Sequence, residues 1–208
     1  MPFTAKSGKF NASINAVEFG TGDKAVKIGG ENVFPLYSFD AAIENAPKVG
    51  IEITDFGMEH EPECIKKYYE GCATLADMAR KAASMEGVDF LSFRMEGGDP
   101  NGANKSTEEL IGELKEIADA VDLPLVVCGC KNVEKDAELF SKAAEALNGK
   151  NAVILSAKEE NYKTVGAAAG LAYKQVVGAE SAVDINLAKQ LNVLISQLGV
   201  DSKSVVMN

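Results

Sequence analysis

The sequence predicts an α/β fold of the (β/α)8 TIM-barrel type, truncated after its sixth strand and preceded by an N-terminal β-hairpin. Three observations predict it. Short apolar, β-branched-rich runs recur and end on polar or acidic residues: Val49 to Asp55, Val88 to Glu96, Leu125 to Cys128, Ala152 to Lys158, Gln175 to Glu180 and Ser204 to Asn208. Between them lie segments with the third-and-fourth spacing of one apolar helix face, as in Leu110, Ile111, Leu114, Ile117, Ala118 and Val121, and again in Leu187, Leu191, Leu194, Ile195 and Leu198. The two kinds of segment alternate, which implies buried parallel strands joined by right-handed crossovers.

Residues 1–48 differ from the rest. Phe10 to Phe19 alternates apolar and polar side chains, Gly20-Thr21-Gly22-Asp23 has turn composition, and Ala25 to Ile28 alternates again. That pattern predicts a β-hairpin, followed by an irregular connection through Gly29-Gly30-Glu31 and Phe34-Pro35-Leu36-Tyr37. The hairpin either plugs the N-terminal end of a barrel or offers a docking surface to another chain. Residues 49–208 then carry strands one to six. Their helices have legible ends: Thr74 with Asp77 and Ser106 with Glu109 have capping-box spacing, and Gly87, Gly149 and Gly199 suit the left-handed position past a helix end. Leu123 to Lys135 (LPLVVCGCKNVEK) shows one whole unit, an apolar strand, a glycine-bearing turn and a helix beginning near Asn132. An eight-stranded barrel takes ~250 residues, so a chain ending on its sixth strand is expected to be a shortened barrel, with an open doubly wound sheet as the alternative.

Composition bounds the function. With 46% hydrophobic and 25% charged residues the 208-residue chain has the make-up of a globular protein. A net charge of −10, with 21 basic residues that form no cluster, argues against nucleic-acid or anionic-membrane binding. No run approaches the ~20 apolar residues of a membrane span, and MPFTAKSGKF lacks the apolar core of a signal peptide, so a cytoplasmic protein is expected. Cys64, Cys72, Cys128 and Cys130 contain no C-x-x-C pair and read as reduced thiols, with a metal or redox role for Cys128-Gly129-Cys130 as the alternative. An iron-sulfur cluster held by this chain alone is not expected.

In a barrel the chemistry gathers where strands end. That mouth would collect Asp55, Glu96 with Asp99, Cys128 to Asn132, Lys158 with Asn161, Glu180 with Ser181 and Asp184, and Asn208. The ring is acidic and amide-rich, which suits a neutral hydrogen-bonding ligand better than a phosphate. Gly97-Gly98-Asp99-Pro100-Asn101-Gly102 has turn composition, and Asp99 would repel an anion. The single histidine, His60, stands among Glu59, Glu61 and Glu63, so no Ser-His-Asp, Cys-His or metal triad is assigned. Lys158 at a strand end leaves a Schiff-base reading open.

Several segments are more specific. Lys27 to Glu31 (KIGGE), Asp99 to Ser106 (DPNGANKS), Gly129 to Asp136 (GCKNVEKD), Glu160 to Thr164 (ENYKT) and Val183 to Asn192 (VDINLAKQLN) together resemble the small subunit of the corrinoid iron-sulfur protein, the delta subunit of the acetyl-CoA decarbonylase/synthase system. The resemblance runs from about Ala25 to Asn208, in order and with similar spacing. It implies a (β/α)8 barrel paired with a large subunit that holds a 4Fe-4S cluster, with a corrinoid (cobalamin) between the two. It also implies a methyl carrier that is not catalytic alone. The methyl group would come from methyltetrahydrofolate or a methanopterin through a methyltransferase and pass to acetyl-CoA synthase, the partner of CO dehydrogenase in the Wood-Ljungdahl pathway. Corrinoid contacts are then expected from Asp99, Asn132, Asn161, Glu180, Asp184, Asn186 and Asn208, with helix capping or loop bracing as the alternative role, for Asn132 particularly. A pterin-binding barrel methyltransferase and a purely structural subunit are the other readings.

Overall fold

The computed structural model describes residues 11–32 and 43–208. Phe10 of the expected hairpin and Phe34 to Tyr37 of the expected connection lie outside the described residues. Six strands, β3 (Gly50–Thr54), β4 (Phe90–Arg94), β5 (Leu125–Cys128), β6 (Val153–Ala157), β7 (Val176–Ala179) and β8 (Val205–Met207), form one parallel sheet in the order in which they occur in the chain. All six apolar runs of the sequence are strands. The order never reverses, so the sheet has no topological switch point of the doubly wound kind.

Side chains along each strand alternate between two faces. One face, with Ile53, Leu91, Phe93, Leu125, Val127, Ile154, Val177 and Val205, packs against the helices in a single large core. These helices are α1 (Glu63–Tyr68), α2 (Leu75–Ala83), α3 (Thr107–Ala120), α4 (Val133–Ala146), α5 (Tyr162–Val165), which runs on as a wide turn over Gly166–Ala172, and α6 (Ile185–Gln197). Each fully buried Leu or Phe there, such as Phe93, Leu114 or Phe140, contributes roughly 1.5–3 kcal/mol of burial. The helix ends follow the local chemistry. Thr74 and Asp77 form a reciprocal capping box on α2, the Ser106 hydroxyl accepts from the Glu109 N–H at 3.2 Å on α3, and Gly87, Gly149 and Gly199 take positive φ.

The other face carries no helix core. Its lower half is covered by a hairpin of β1 (Val17–Phe19) and β2 (Val26–Ile28), antiparallel and joined through a turn at Gly22–Lys24. Val17, Phe19 and Val26 pack with Val126, Val153 and Val176 in a second, smaller core, and Phe19 meets Phe90 edge to face at 5.7 Å. The Asn151 amide ties the hairpin down by donating to the Glu18 and Gly20 carbonyls at 3.0 and 3.2 Å. The upper half of this face stays open.

Candidate functional site

That open half is a cavity of about 460 Å³ at the C-terminal ends of the strands. Its floor is apolar, from Phe90, Val126 and Leu155, and its walls are polar. The polar residues get there because they occupy the inward phase of otherwise apolar strands. Glu52 stands between Ile51 and Ile53, and Ser92 and Arg94 flank Phe93. Arg94 and Glu52 form a two-pronged ion pair, Nε to Oε1 and Nη2 to Oε2, both at 2.9 Å. The hydrogen bond to Glu52 holds the guanidinium above its ordinary range. Ser92 Oγ bridges this pair to the strand beside it, lying 3.4 Å from both Glu52 Oε2 and the Cys128 thiol, which burial pushes up in pKa.

On β6 the register slips between Ile154 and Ala157, so Leu155 and Ser156 both line the cavity. Ser156 Oγ accepts from the Asn208 amide at 3.0 Å, across from β8, and Lys158 pairs with Glu180 at 3.4 Å. The β5–α4 loop completes the wall with Gly129, Lys131 and Asp136. Asp136 is 5% exposed; its Oδ1 accepts from the Cys130 N–H at 2.7 Å and from the Cys130 thiol at 3.2 Å. Burial raises the pKa of both partners, that of Cys130 to about 11.

Of the residues expected to contact a corrinoid, Glu180 and Asn208 line this cavity. The other five lie outside its lining, and the side chains of four of them are engaged elsewhere. Asn132 caps α4 by accepting from the Lys135 N–H at 3.0 Å, and Asp184 caps α6 by accepting from Asn186 and Leu187 at 2.8 and 3.2 Å. Asn161, 5% exposed, braces a loop, accepting from the Lys158 N–H at 2.7 Å and donating to the Val133 carbonyl at 3.3 Å. Asp99 accepts from the Asn101 N–H at 2.9 Å within its own turn, and Asn186 is exposed on the first turn of α6. Asp55 is buried below the mouth, where the Gly97 N–H and the Lys105 ammonium bond its carboxylate. His60 packs against Phe56 at 4.9 Å, outside the cavity lining. Cys128 and Cys130 fall into different packing clusters on the two sides of the sheet.

Reading the sequence missed Glu52, Ser92, Arg94, Ser156 and Asp136 as wall residues. The first three left a signal, since each breaks an apolar strand on the same phase. Ser156 depends on the slip in β6, and Asp136 is one of several acids in a first helical turn.

The sequence profile of the CO dehydrogenase/acetyl-CoA synthase delta subunit matches residues 16–208, from the first strand of the hairpin through the last strand of the sheet. The chain belongs to that delta subunit family. Among its delta subunit relatives, acetyl-CoA decarbonylase/synthase complex subunit delta of Methanothermobacter thermautotrophicus is 30% identical over 202 residues, covering 96% of this chain and 51% of the relative. The subunit of the same name from Methanocaldococcus jannaschii is 30% identical with the same coverage, and that from Archaeoglobus fulgidus is 30% identical over 91% of this chain and 42% of its own length. The chain spans about half the length of these relatives. The whole cavity lies within the matched stretch. No helix among the described residues is long and apolar enough to cross a membrane.

Proposed function

We propose that this chain is the delta-type small subunit of a corrinoid methyl carrier, cytoplasmic, in an acetyl-CoA decarbonylase/synthase system, and that its cavity takes one side of a corrinoid shared with a large subunit. The observation that carries the reading is the make-up of the cavity, an apolar floor inside a wall where donors and acceptors are interleaved. A corrin has the same division, a methyl-studded ring fringed with primary carboxamides, and such a fringe needs donors and acceptors together. The cavity is too small to enclose the group, so the ligand lies across the mouth, and the large subunit, which would also hold the 4Fe-4S cluster, covers its other side. When bound, the corrinoid supplies the cobalt that carries the methyl group.

The residues of this chain bind and orient. Asn208, steadied by Ser156, and Glu180, steadied by Lys158, present fixed polar groups toward the ligand. The Arg94–Glu52 pair keeps the deeper wall from collapsing onto the floor. Because these groups already hold one another, little side-chain freedom is lost on binding. Asp99, Asn132, Asn161, Asp184 and Asn186 complete the expected contact set from the loops around the mouth. The sheet is the first arc of a (β/α)8 barrel, which sequential strand order and one helix-covered face support, with residues 1–48 as hairpin and connection and 49–208 as the barrel portion. Methyltetrahydrofolate or a methanopterin is the methyl source through a methyltransferase, and acetyl-CoA synthase with CO dehydrogenase is the recipient.

The test is a visible absorption spectrum of the full-length protein, alone and mixed with its large subunit and cobalamin, after gel filtration. Corrinoid bands retained at one per pair only in the mixture are the expected result. A colourless pair, or methyltetrahydrofolate bound by the subunit alone, overturns the reading.

A further inference from the structure

We propose that Arg94 is a ligand-anchoring residue of this cavity, the edge of its guanidinium away from Glu52 donating hydrogen bonds to the carboxamide carbonyl of a corrinoid side arm that enters the cavity. The inference rests on the corrinoid reading above and adds a contact to it. A guanidinium is planar and carries N–H donors along two usable edges. Glu52 takes the edge formed by Nε and Nη2, both at 2.9 Å. Among the described residues no acceptor pairs with Nη1, so the edge made by Nη1 and the second Nη2 proton is unspent. That edge is not sealed in the protein either. Among the described residues the one buried side-chain polar atom without a partner is Glu113 Oε2, so the unpaired Nη1 is reached from outside. Arg94 lines the cavity with 28% of its side chain exposed, and the cavity is what its free edge meets.

The chain is also built to hold the guanidinium there. Arg94 is the last residue of β4, in register with Thr54 on one side and Cys128 on the other, and its carbonyl accepts from the Asp55 N–H at 3.1 Å. Glu52 is steadied in turn by the Ser92 hydroxyl at 3.4 Å. The plane of the fork is therefore set before a ligand arrives, and little freedom is lost on binding. A cation needed only to neutralise Glu52 gains nothing from a second edge, and a lysine would serve; the planar fork of arginine is what offers donors to two partners at once. As the end of its strand Arg94 stands on the mouth side of the cavity, within reach of the arms of a ring lying across that mouth. A carboxamide carbonyl has two lone pairs and no charge, so it accepts from the free edge without displacing Glu52.

The test uses the full-length protein reconstituted with its large subunit, titrated with cobalamin and read by visible absorption. A wild-type pair that retains no cobalamin removes the corrinoid reading and this inference with it. Where the wild type retains it, Arg94→Met is made together with Glu52→Gln, so that no carboxylate is left without its cation. This double variant retains cobalamin roughly tenfold less tightly than Glu52→Gln alone, the loss of one charge-assisted hydrogen bond. The second readout needs no substitution and stands even if the double variant fails to fold. Cobalamin monocarboxylates, each with one amide hydrolysed to an acid, offer the fork a carboxylate, which it binds more strongly than a neutral carbonyl. The isomer whose acid meets Arg94 binds the wild type roughly tenfold more tightly than cobalamin does, and a folded double variant shows no such preference. Equal cobalamin retention by the double variant and Glu52→Gln, or a wild type that prefers none of the monocarboxylates, overturns the assignment.

Discussion

Gln175 lies fully buried where α4 ends and β6 begins, and it joins the two. Its Oε1 accepts from the Ala152 N–H at 2.6 Å, while Nε2 donates to the Leu147 carbonyl at 2.9 Å and the Ala144 carbonyl at 3.4 Å. Gln175→Leu keeps most of the side-chain volume and removes all three bonds. The Ala152 N–H then stays buried without this partner, at roughly 1–3 kcal/mol; the Leu147 C=O still accepts from the Lys150 N–H at 2.9 Å, and the longer third bond adds little. The expected loss is about 2 kcal/mol, and at about 2–4 °C per kcal/mol for a chain of this size the melting temperature falls by about 4–8 °C. Urea unfolding checks it, with a lower midpoint and an unchanged slope. A loss below about 0.5 kcal/mol, the scale of a neutral surface change, would refute the reasoning, because it would mean that water or a shifted backbone satisfies these groups at no cost.

The other predictions concern the hairpin and the cavity wall. Phe19→Ala removes a ring that is 3% exposed and set edge to face on Phe90, and it is expected to cost about 3 kcal/mol in urea unfolding; a loss under about 1 kcal/mol would make the hairpin a passive cover and not part of the core. Gly129→Ala forces the Asp136 carboxyl aside, with a loss of about 1–3 kcal/mol and faster labelling of Cys130 by a thiol reagent in the native protein. Cys130 also sets an alkaline limit. Its thiol ionises at 9.0 ordinarily and at about 11 in the fold, so the unfolded state loses its proton first. The stability this thiol contributes is complete below pH 9.0 and is lost as pH rises toward about 11. Urea unfolding over that range should show a steeper decline for wild type than for Cys130→Ala.

The strands and caps were legible because their signals are local. An apolar run before Asp55 or Lys158, a Thr74–Asp77 spacing, or a glycine at 87, 149 or 199 reports on neighbours two to four residues away. The site was legible only in part. Asn132, Asp184 and Asn161 have the chemistry of ligand contacts and also that of caps and braces, and nothing in their spacing separates the two roles; the hydrogen bonds they make here are local, apart from the one Asn161 gives to the Val133 carbonyl. Glu52, Ser92 and Arg94 could have been found by asking which polar residues interrupt the inward phase of a strand.

By itself the sequence determined the parallel α/β class, the six strands, the hairpin in front of them and the delta subunit kinship, since periodicity, turn chemistry and motif order are written along the chain, whereas the chain-order pairing of the strands came from the structure. Only the tertiary structure decided which face of the sheet stays open, that the hairpin fills the lower half of that face, and that Asp136 and the slipped Ser156 reach the wall above it. The physical reason is separation. Phe19 and Val126, or Glu52 and Arg94, meet across long stretches of chain, and contacts of that kind follow from how packed layers close over one another, which no local pattern records.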